Sequence, residues 1–356
     1  MMTENREVQE VDLAGIRDHL CVDAFLQEMI PARALKTAFE TGLVDHLVSN
    51  RICSVSSLEN KWKNGEKAVR LLIDLLALNN VIANHHGEIE LTPEFLHALK
   101  YRDLLELKLS MAHLAAFDLM NNFTEFIASP LNFMRKARFF KLFDYSLCFE
   151  DTPENRSLTK RWMMITSILT RYEAPACMAC HDFGRYGRML DIGGNSGEFA
   201  LRICRRYPGM VSTVFDLPLV CDLGREHLQS EPESDRITFA RGNALTDELP
   251  GGFDLITFKS MLHDWPQDQA ERLISKAEKS LKPGGTLLIF ERAPMEITRN
   301  TVPFSLFPFL IFLHSYRLPD FYERQLKKLG FEDIATRRIH LDMPFFLVEA
   351  RKKMGS

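Results

Sequence analysis

Met189-Leu190-Asp191-Ile192-Gly193-Gly194-Asn195-Ser196-Gly197-Glu198-Phe199-Ala200 is the stretch on which the reading of this chain turns. It reads as a buried strand, a glycine turn and the start of a helix. Three glycines in five residues let the backbone turn sharply and lie close to a ligand. The dinucleotide pattern G-x-G-x-x-G is not met, because Asn195 stands where its second glycine belongs. Asp191, the acidic residue that opens the turn, is foreign to that pattern as well. A plain strand-to-helix turn in some other α/β protein is the bland alternative.

Two further segments point the same way. Val211-Ser212-Thr213-Val214-Phe215-Asp216 is a β-rich run that ends in a carboxylate, about one β-α unit downstream. A carboxylate at the carboxyl end of a strand can accept both ribose hydroxyls of a nucleoside. Alternatively, Asp216 caps the helix that begins at Leu217-Pro218, and one side chain can do both. The glycine loop carries no basic clamp for a phosphate. The third segment, Phe253 to Pro266, is a strand running into the turn His263-Asp264-Trp265-Pro266. A helix from Gln267 to Leu281, the turn Lys282-Pro283-Gly284-Gly285 and the strand Thr286 to Glu291 follow.

In this order the pieces resemble the S-adenosylmethionine (SAM)-dependent O-methyltransferases of the caffeate, acetylserotonin and hydroxyneurosporene type. The matching residues are Asp191 to Gly197, Phe215-Asp216-Leu217-Pro218, Leu262-His263-Asp264-Trp265-Pro266, Lys282 to Gly285 and Gly330-Phe331. The resemblance covers nearly the whole chain. It implies an α/β fold, a Rossmann-like SAM methyltransferase sheet that is mostly parallel with an antiparallel edge. In front of it the family carries an N-terminal, mainly α winged-helix domain that makes a homodimer. The cofactor implied is SAM, leaving as S-adenosylhomocysteine, with Asp191, Gly193, Gly194, Gly197, Asp216, Leu217, Asn243, Ala244 and Lys259 around it. The acceptor implied is a small hydroxylated molecule, aromatic or polyene-like.

The resemblance places the general base on His263, with Glu291 at the end of the next strand to orient and support the imidazole. A turn histidine packed on Trp265 is the alternative. Two positions depart from the family. Where a Gly-Asp pair is usual, this chain has Gly242-Asn243, whose amide oxygen can still accept from adenine. A second supporting carboxylate is expected before an Arg-Thr pair, but the segment reads Phe312-Leu313-His314-Ser315-Tyr316-Arg317-Leu318-Pro319. Arg317 fits, Tyr316 takes the place of the glutamate, and the turn glycines are missing. Lys259 matches a cofactor-pocket position, and its alternative is a solvated strand end. Trp162, Met163 and Met164 fall near the family's pocket-lining helix. With Phe307, Ile311 and Tyr316 they are the candidates to face the acceptor, against plain core packing.

The chain divides into three segments. Residues 11–102 read as a winged-helix-like dimerisation domain, with amphipathic helices around Asp23 to Leu47 and Lys67 to Asn79. A β-hairpin follows, made of Val81 to Asn84, a turn at His85-His86-Gly87, and Glu88 to Leu91. Ser54 to Leu58 reads as a connector and helix start. Residues 103–187 read as a helical linker with substrate-pocket helices, and 188–352 as the methyltransferase domain, its antiparallel edge around Asp333 to Arg338 and Phe345 to Ala350.

Composition narrows the alternatives. The 356 residues are 46% hydrophobic and 26% charged, ordinary globular values that suit two domains. The net charge is −4, and residues 31–102 hold nine Lys/Arg against eight Asp/Glu, so the winged module offers no footing for nucleic acid. No apolar run reaches a membrane span; the longest, Val302 to Leu313, is broken by Pro303 and Pro308 and suits a buried helix or pocket wall. Met1 to Glu10 is polar and acidic, not leader-like, and seven scattered cysteines suit a cytoplasmic location. Cys177-Met178-Ala179-Cys180-His181 matches a haem-attachment string, but no second ligand pair for a metal recurs, and no metal is expected.

The reading is a SAM-dependent O-methyltransferase with His263 as general base. A C- or N-methyltransferase or a repurposed SAM enzyme of the same family is a second reading. A non-catalytic SAM-binding winged-helix regulator is a third, opposed by the presence of both His263 and Glu291.

Overall fold

The computed structural model describes Leu13 and residues 15–61, 65–295, 297 and 302–354; positions 11, 12, 14 and 62–64 of the first expected domain lie outside them. The chain separates into two units. One, the N-terminal unit, holds 17–139 and 297–311, and the other, the sheet unit, holds the described residues of 1–16, 140–296 and 312–356.

In the N-terminal unit, helix Glu66–Leu78 buries Val69, Leu72, Ile73 and Leu76, spaced three and four residues apart on one stripe. Three short antiparallel strands, β1 (Ile52–Ser54), β2 (Ile82–His85) and β3 (Glu88–Leu91), pair in the order β1-β3-β2. The β2–β3 hairpin closes through His86 at φ 55° and Gly87 at φ 91°. Two successive positive φ values define a type I′ turn, whose twist matches that of the strands. The third strand, β1, lies where a connector is read from the sequence. Helix Arg102–Ala128 is the long element of the unit. The 302–311 segment forms short helical turns that bury Phe304, Phe309 and Ile311, with Phe304 edge-on to His113 at 5.0 Å.

The sheet unit opens with helices, the longest being Pro153–Cys180, capped by the Thr152 hydroxyl and started by Pro153. Seven strands follow: β4 (Arg188–Ile192), β5 (Val211–Asp216), β6 (Ile237–Arg241), β7 (Phe253–Lys259), β8 (Leu281–Arg292), β9 (Glu332–His340) and β10 (Pro344–Arg351). Their order is β6-β5-β4-β7-β8-β10-β9. The first five are parallel, and β10 runs antiparallel to both β8 and β9, giving the antiparallel edge. Leu190, Ile192, Ile256, Phe258, Leu287 and Ile289 are buried in one core with Phe346 and Val348, as parallel strands covered on both faces require. From β4 the chain winds one way to β5 and β6, then returns to build β7 and β8 on the other side. The carboxyl ends of β4 and β7 therefore meet at a topological switch point, where open α/β sheets bind ligands. No helix among the described residues is long and apolar enough to cross a membrane.

Candidate active site

Loops and strand ends from several elements meet around this switch point. Asp191 on β4 is buried, and its Oδ1 accepts from the Thr257 hydroxyl on β7 at 2.7 Å. Its Oδ2 has no hydrogen-bond partner among the described residues. Burial pushes this carboxyl up to about 7, against the pull of Thr257 and of the Lys259 charge. The glycine loop leaves β4 with Gly193 at φ 68°, its N–H bonded to Phe215 O at 2.9 Å. A Cβ on Gly194 would lie 2.5 Å from Asp191 Oδ2 and 3.0 Å from Val214, so only glycine lets the loop cross the strand end this closely.

Asp216 ends β5 beside that loop. One carboxylate oxygen accepts from Asn195 N at 2.8 Å and the other from Leu217 N at 2.7 Å. The following helix, Pro218–Leu228, has no side-chain cap. Asp216 thus ties two loops together instead of capping the helix, and each of its oxygens keeps lone-pair capacity for a further donor. Burial raises its carboxyl to about 6, while the two N–H bonds hold it down. The neighbouring loop is tethered by Gly242 N to Asp216 O at 2.9 Å. Within it Asn243 Oδ1 accepts from Leu245 N at 3.0 Å, so the amide oxygen read as an adenine acceptor has one lone pair already used. Lys276 donates to Ala244 O at 2.6 Å and fixes the loop from below.

On the other side of the switch point, Lys259 ends β7. It is not a solvated strand end: its side chain is only 10% exposed, is paired with Glu173, and donates to Thr170 Oγ1 at 2.8 Å. Glu173 also pairs with Arg292, whose Nη1 donates to Ser260 Oγ at 2.9 Å. Burial lowers the Lys259 pKa, with the Glu173 charge opposing. Ser260 then takes φ 50°, a left-handed conformation that costs a non-glycine residue about 1–3 kcal/mol and that surrounding bonds must hold.

The chain next makes a single 3-10 turn, Leu262–Asp264, that carries His263. His263 is 8% exposed. Its Nδ1 lies 2.7 Å from Glu291 Oε2 at the end of β8, and its Nε2 lies 3.4 Å from Asp264 Oδ1. Glu291 Oε1 accepts from Met261 N at 2.8 Å and Leu262 N at 2.7 Å. Burial alone would raise Glu291, but the His263 charge and these N–H bonds outweigh it and hold the carboxyl below its usual value. For His263 burial disfavours the cation, yet Glu291 and Asp264 outweigh it and raise the pKa. A carboxylate at Nδ1 keeps the proton there in the neutral ring, so Nε2 is left as the basic nitrogen.

Tyr316 stacks obliquely on His263 with ring centres 5.4 Å apart, and Phe312 meets it edge-on at 6.0 Å. Arg317 donates to Leu262 O at 2.9 Å and also to Trp265 O. The Tyr145 hydroxyl donates to Asp264 Oδ2 at 2.9 Å, and its ring meets Trp162 edge-on at 5.4 Å. Trp162 and Met163 pack with Cys148, Leu219, Val220 and Leu223 beside Leu217, whereas Met164 is 58% exposed and points away from that cluster. Phe307 and Ile311 belong to the N-terminal unit. His181 bonds Glu349 Oε2 at 3.1 Å, and Cys177 and Cys180 are free buried thiols. Tyr145 closes an aromatic-rich stretch, Phe139 to Tyr145, that the sequence marks as a source of acceptor-facing side chains. Glu173, Arg292 and the double contact of Arg317 are beyond sequence reasoning; the one available hint is Arg292 standing next to Glu291 after the apolar run Leu287 to Phe290.

Comparison with known proteins identifies the family and the fold. A family described as the O-methyltransferase domain matches residues 126–332, more than half of the chain. Acetylserotonin O-methyltransferase of Bos taurus is 30% identical over 175 residues, 47% of this chain and 49% of that protein. The N,N-dimethyltransferase OxyT of Streptomyces rimosus is 34% identical over 110 residues, 31% of this chain and 32% of that protein. The chain thus spans half or less of the length of these curated relatives. The crystal structure of human N-acetylserotonin methyltransferase in complex with SAM superposes with a TM-score of 0.70 at 20% identity, covering 99% of this chain and 100% of that one. At that identity the likeness speaks for the fold.

Proposed function

The chain belongs to the O-methyltransferase domain family, a family of SAM-dependent methyltransferases, and from that premise we propose that it methylates a hydroxyl of a small aromatic or polyene-like metabolite. The observation that carries this reading is the His263–Glu291 pair at the switch point, with Nε2 as the basic nitrogen. Asp191, the glycine loop, Asp216, Leu217, Asn243, Ala244 and Lys259 are the residues to hold SAM. Two observations fit them to it: the unpaired Asp191 Oδ2, and the closeness of the loop backbone that Gly194 allows. When bound, SAM supplies a methyl group on a sulfonium leaving group and departs as S-adenosylhomocysteine.

The chain's own residues then do three things. They bring the acceptor oxygen in line with the methyl, which contributes several kcal/mol by positioning. His263 Nε2 takes the hydroxyl proton as the oxygen attacks. Glu291, fixed by two backbone N–H groups, keeps the ring oriented and favours the imidazolium that forms. The rings of Phe312 and Tyr316 give that site an aromatic wall suited to a flat acceptor.

Methyl transfer to nitrogen is the second reading, favoured by the match to an N,N-dimethyltransferase and by Tyr316 standing where a carboxylate is usual. The N-terminal unit is proposed to make a homodimer. Its helix face exposes Phe117, Met120, Phe123 and Ile127, an apolar stripe that a second copy would cover. A cytoplasmic location is part of the proposal. The test is incubation with SAM and a library of hydroxylated and amino aromatics, read by mass spectrometry for products 14 mass units heavier (roughly one methylene) and for S-adenosylhomocysteine. A chain that binds S-adenosylhomocysteine yet methylates nothing, and shifts DNA in a low-salt gel, would favour the regulator instead.

A further inference from the structure

We propose that Arg317 is a positioning residue for His263, fixing the backbone turn that carries the base. The inference rests on the reading of His263 as general base.

The turn has little to hold it by itself. It is one 3-10 turn of three residues, too short for helical cooperativity. It follows a strained residue, Ser260 at φ 50°. Its own closing bonds are long: Asp264 N to Met261 O is 3.2 Å and Trp265 N to Leu262 O is 3.4 Å. External contacts therefore set where the imidazole sits. Glu291 supplies one set, taking the N–H groups of Met261 and Leu262 and the ring Nδ1.

Arg317 supplies a second set, beside the Tyr145 hydroxyl on Asp264 and the rings on His263. Its guanidinium donates to the carbonyls of Leu262 and Trp265, one residue before and two after His263. Glu291 binds donors at the start of the turn, while Arg317 binds acceptors on both flanks. The first fixes depth and the second fixes rotation. A planar fork suits this bridging, because its N–H directions are set by the group itself. The fork is backed by Phe321, whose ring centre lies 5.3 Å from the guanidinium carbon. Residue 316 touches the same histidine from another side, through its ring. Tyr316-Arg317 is thus one dipeptide gripping the base by ring and by backbone. None of the hydrogen bonds found on the Asp191–Asp216 side involves Arg317, so its loss should act on rate and leave cofactor affinity alone.

The test uses R317M and R317K beside H263A, with S-adenosylhomocysteine calorimetry, turnover of an acceptor from the library, and ¹⁵N spectra of the histidine rings. R317M should lose about 10–100-fold in kcat, as a displacement near 1 Å would produce. R317K should recover part of this, since one ammonium reaches one carbonyl at a time. Affinity for S-adenosylhomocysteine should hold within twofold, roughly the scatter of additivity for distant sites. In H263A the R317M change should cost nothing more, because Arg317 acts through the base. The His263 ring signals, held to one tautomer in the parent, should move toward the averaged values of a free imidazole in R317M. Parent-like turnover and spectra in R317M, additive losses in R317M/H263A, or a parallel loss of S-adenosylhomocysteine affinity would each overturn the proposal. If R317M does not fold, R317K decides it by the same three readouts. Full-rate H263A would instead overturn the general-base reading itself.

Discussion

The two sides of the switch point are built over different distances along the chain. On the Asp191–Asp216 side, the loop contacts are mostly backbone and mostly short-range, with Thr257, 66 residues from Asp191, and Lys276, 32 from Ala244, as the long-range side-chain ties. Asp216 bonds Leu217 N one residue away and Asn195 N 21 residues away, and a loop backbone bond, Gly193 N to Phe215 O, locks the two strand ends together. On the His263 side the partners are side chains from remote elements. Glu291 lies 28 residues from His263, Arg317 lies 55 from Leu262, and Glu173 lies 119 from Arg292. The first construction makes a cradle whose shape follows from a local pattern. The second makes the geometry proposed for catalysis, whose parts come from strands and turns far apart in the chain. Damage to the cradle should therefore show as lost affinity, and damage on the other side as lost rate.

The sharpest way to break this contrast is H263A. Methyl transfer to a neutral hydroxyl should slow by about 10²–10⁴-fold, the usual contribution of a general base. Calorimetric affinity for S-adenosylhomocysteine should not change. Acceptors already ionised at the assay pH should be spared, so the loss should shrink as pH rises through the acceptor's own pKa. Parent-level turnover of a neutral acceptor between about pH 6 and 9 would remove the base side from the chemistry.

Glu291→Gln should cost less than H263A, since the amide oxygen can still accept from Met261 and Leu262. The signs are opposite for the two partners. His263 has a raised pKa, so its stabilising contribution is complete below its unfolded value and is lost as pH rises through the folded one. Glu291 has a lowered pKa, so its contribution is complete above its unfolded value and is lost as pH falls through the folded one. The pair is strongest between the two folded values. In the glutamine variant His263 loses the partner that raises it, and the acid limb of kcat against pH should move to lower pH. An unmoved acid limb would mean that Glu291 does not set the basicity of the ring.

The contrast also explains how much could be read without coordinates. β4, the glycine loop and Asp216 are legible because a buried parallel strand is a short apolar run, and a close backbone crossing demands glycine. The hairpin at His86-Gly87 is legible for a related reason, since its turn needs positive φ. The strand Ile52–Ser54 is not, because three residues with Ile52 exposed carry no alternation to read. Glu173 and Arg292 look like surface residues in a sequence, and Lys259 is placed in the pocket there only by the resemblance. Only the fold brings them together and makes their burial tolerable by pairing. Asn243 is legible as a departure, but not the turn that uses its amide oxygen.

On the cradle side, Asp216→Ala should lose about 1–3 kcal/mol of S-adenosylhomocysteine affinity, the worth of charge-assisted bonds to a ribose. Turnover at saturating SAM should fall far less than in H263A. Affinity equal to the parent's would take Asp216 out of the ligand site and leave it as a tie between loops.

The last effect expected is on stability, from Asp191→Asn in the ligand-free protein. Burial raises the Asp191 carboxyl from 3.8 to about 7. Between those values the folded chain keeps a proton that the unfolded chain has released. Stability must then fall as pH rises across that window, by at most about 1.4 kcal/mol per pH unit for one proton. The asparagine variant cannot titrate there, its oxygen can still accept from Thr257, and its amide replaces the unpaired Oδ2. Asp216 contributes a slope of the same sign in both proteins, so it largely cancels from the difference. Urea unfolding at pH 5 and pH 8 should show the parent losing more stability than Asp191→Asn between the two. Parallel losses would mean that Asp191 is ionised in the folded chain across the whole range, held so by Lys259 nearby. The carboxylate would then be a charge set for a ligand, and its cost would appear as binding energy instead of as a pH slope.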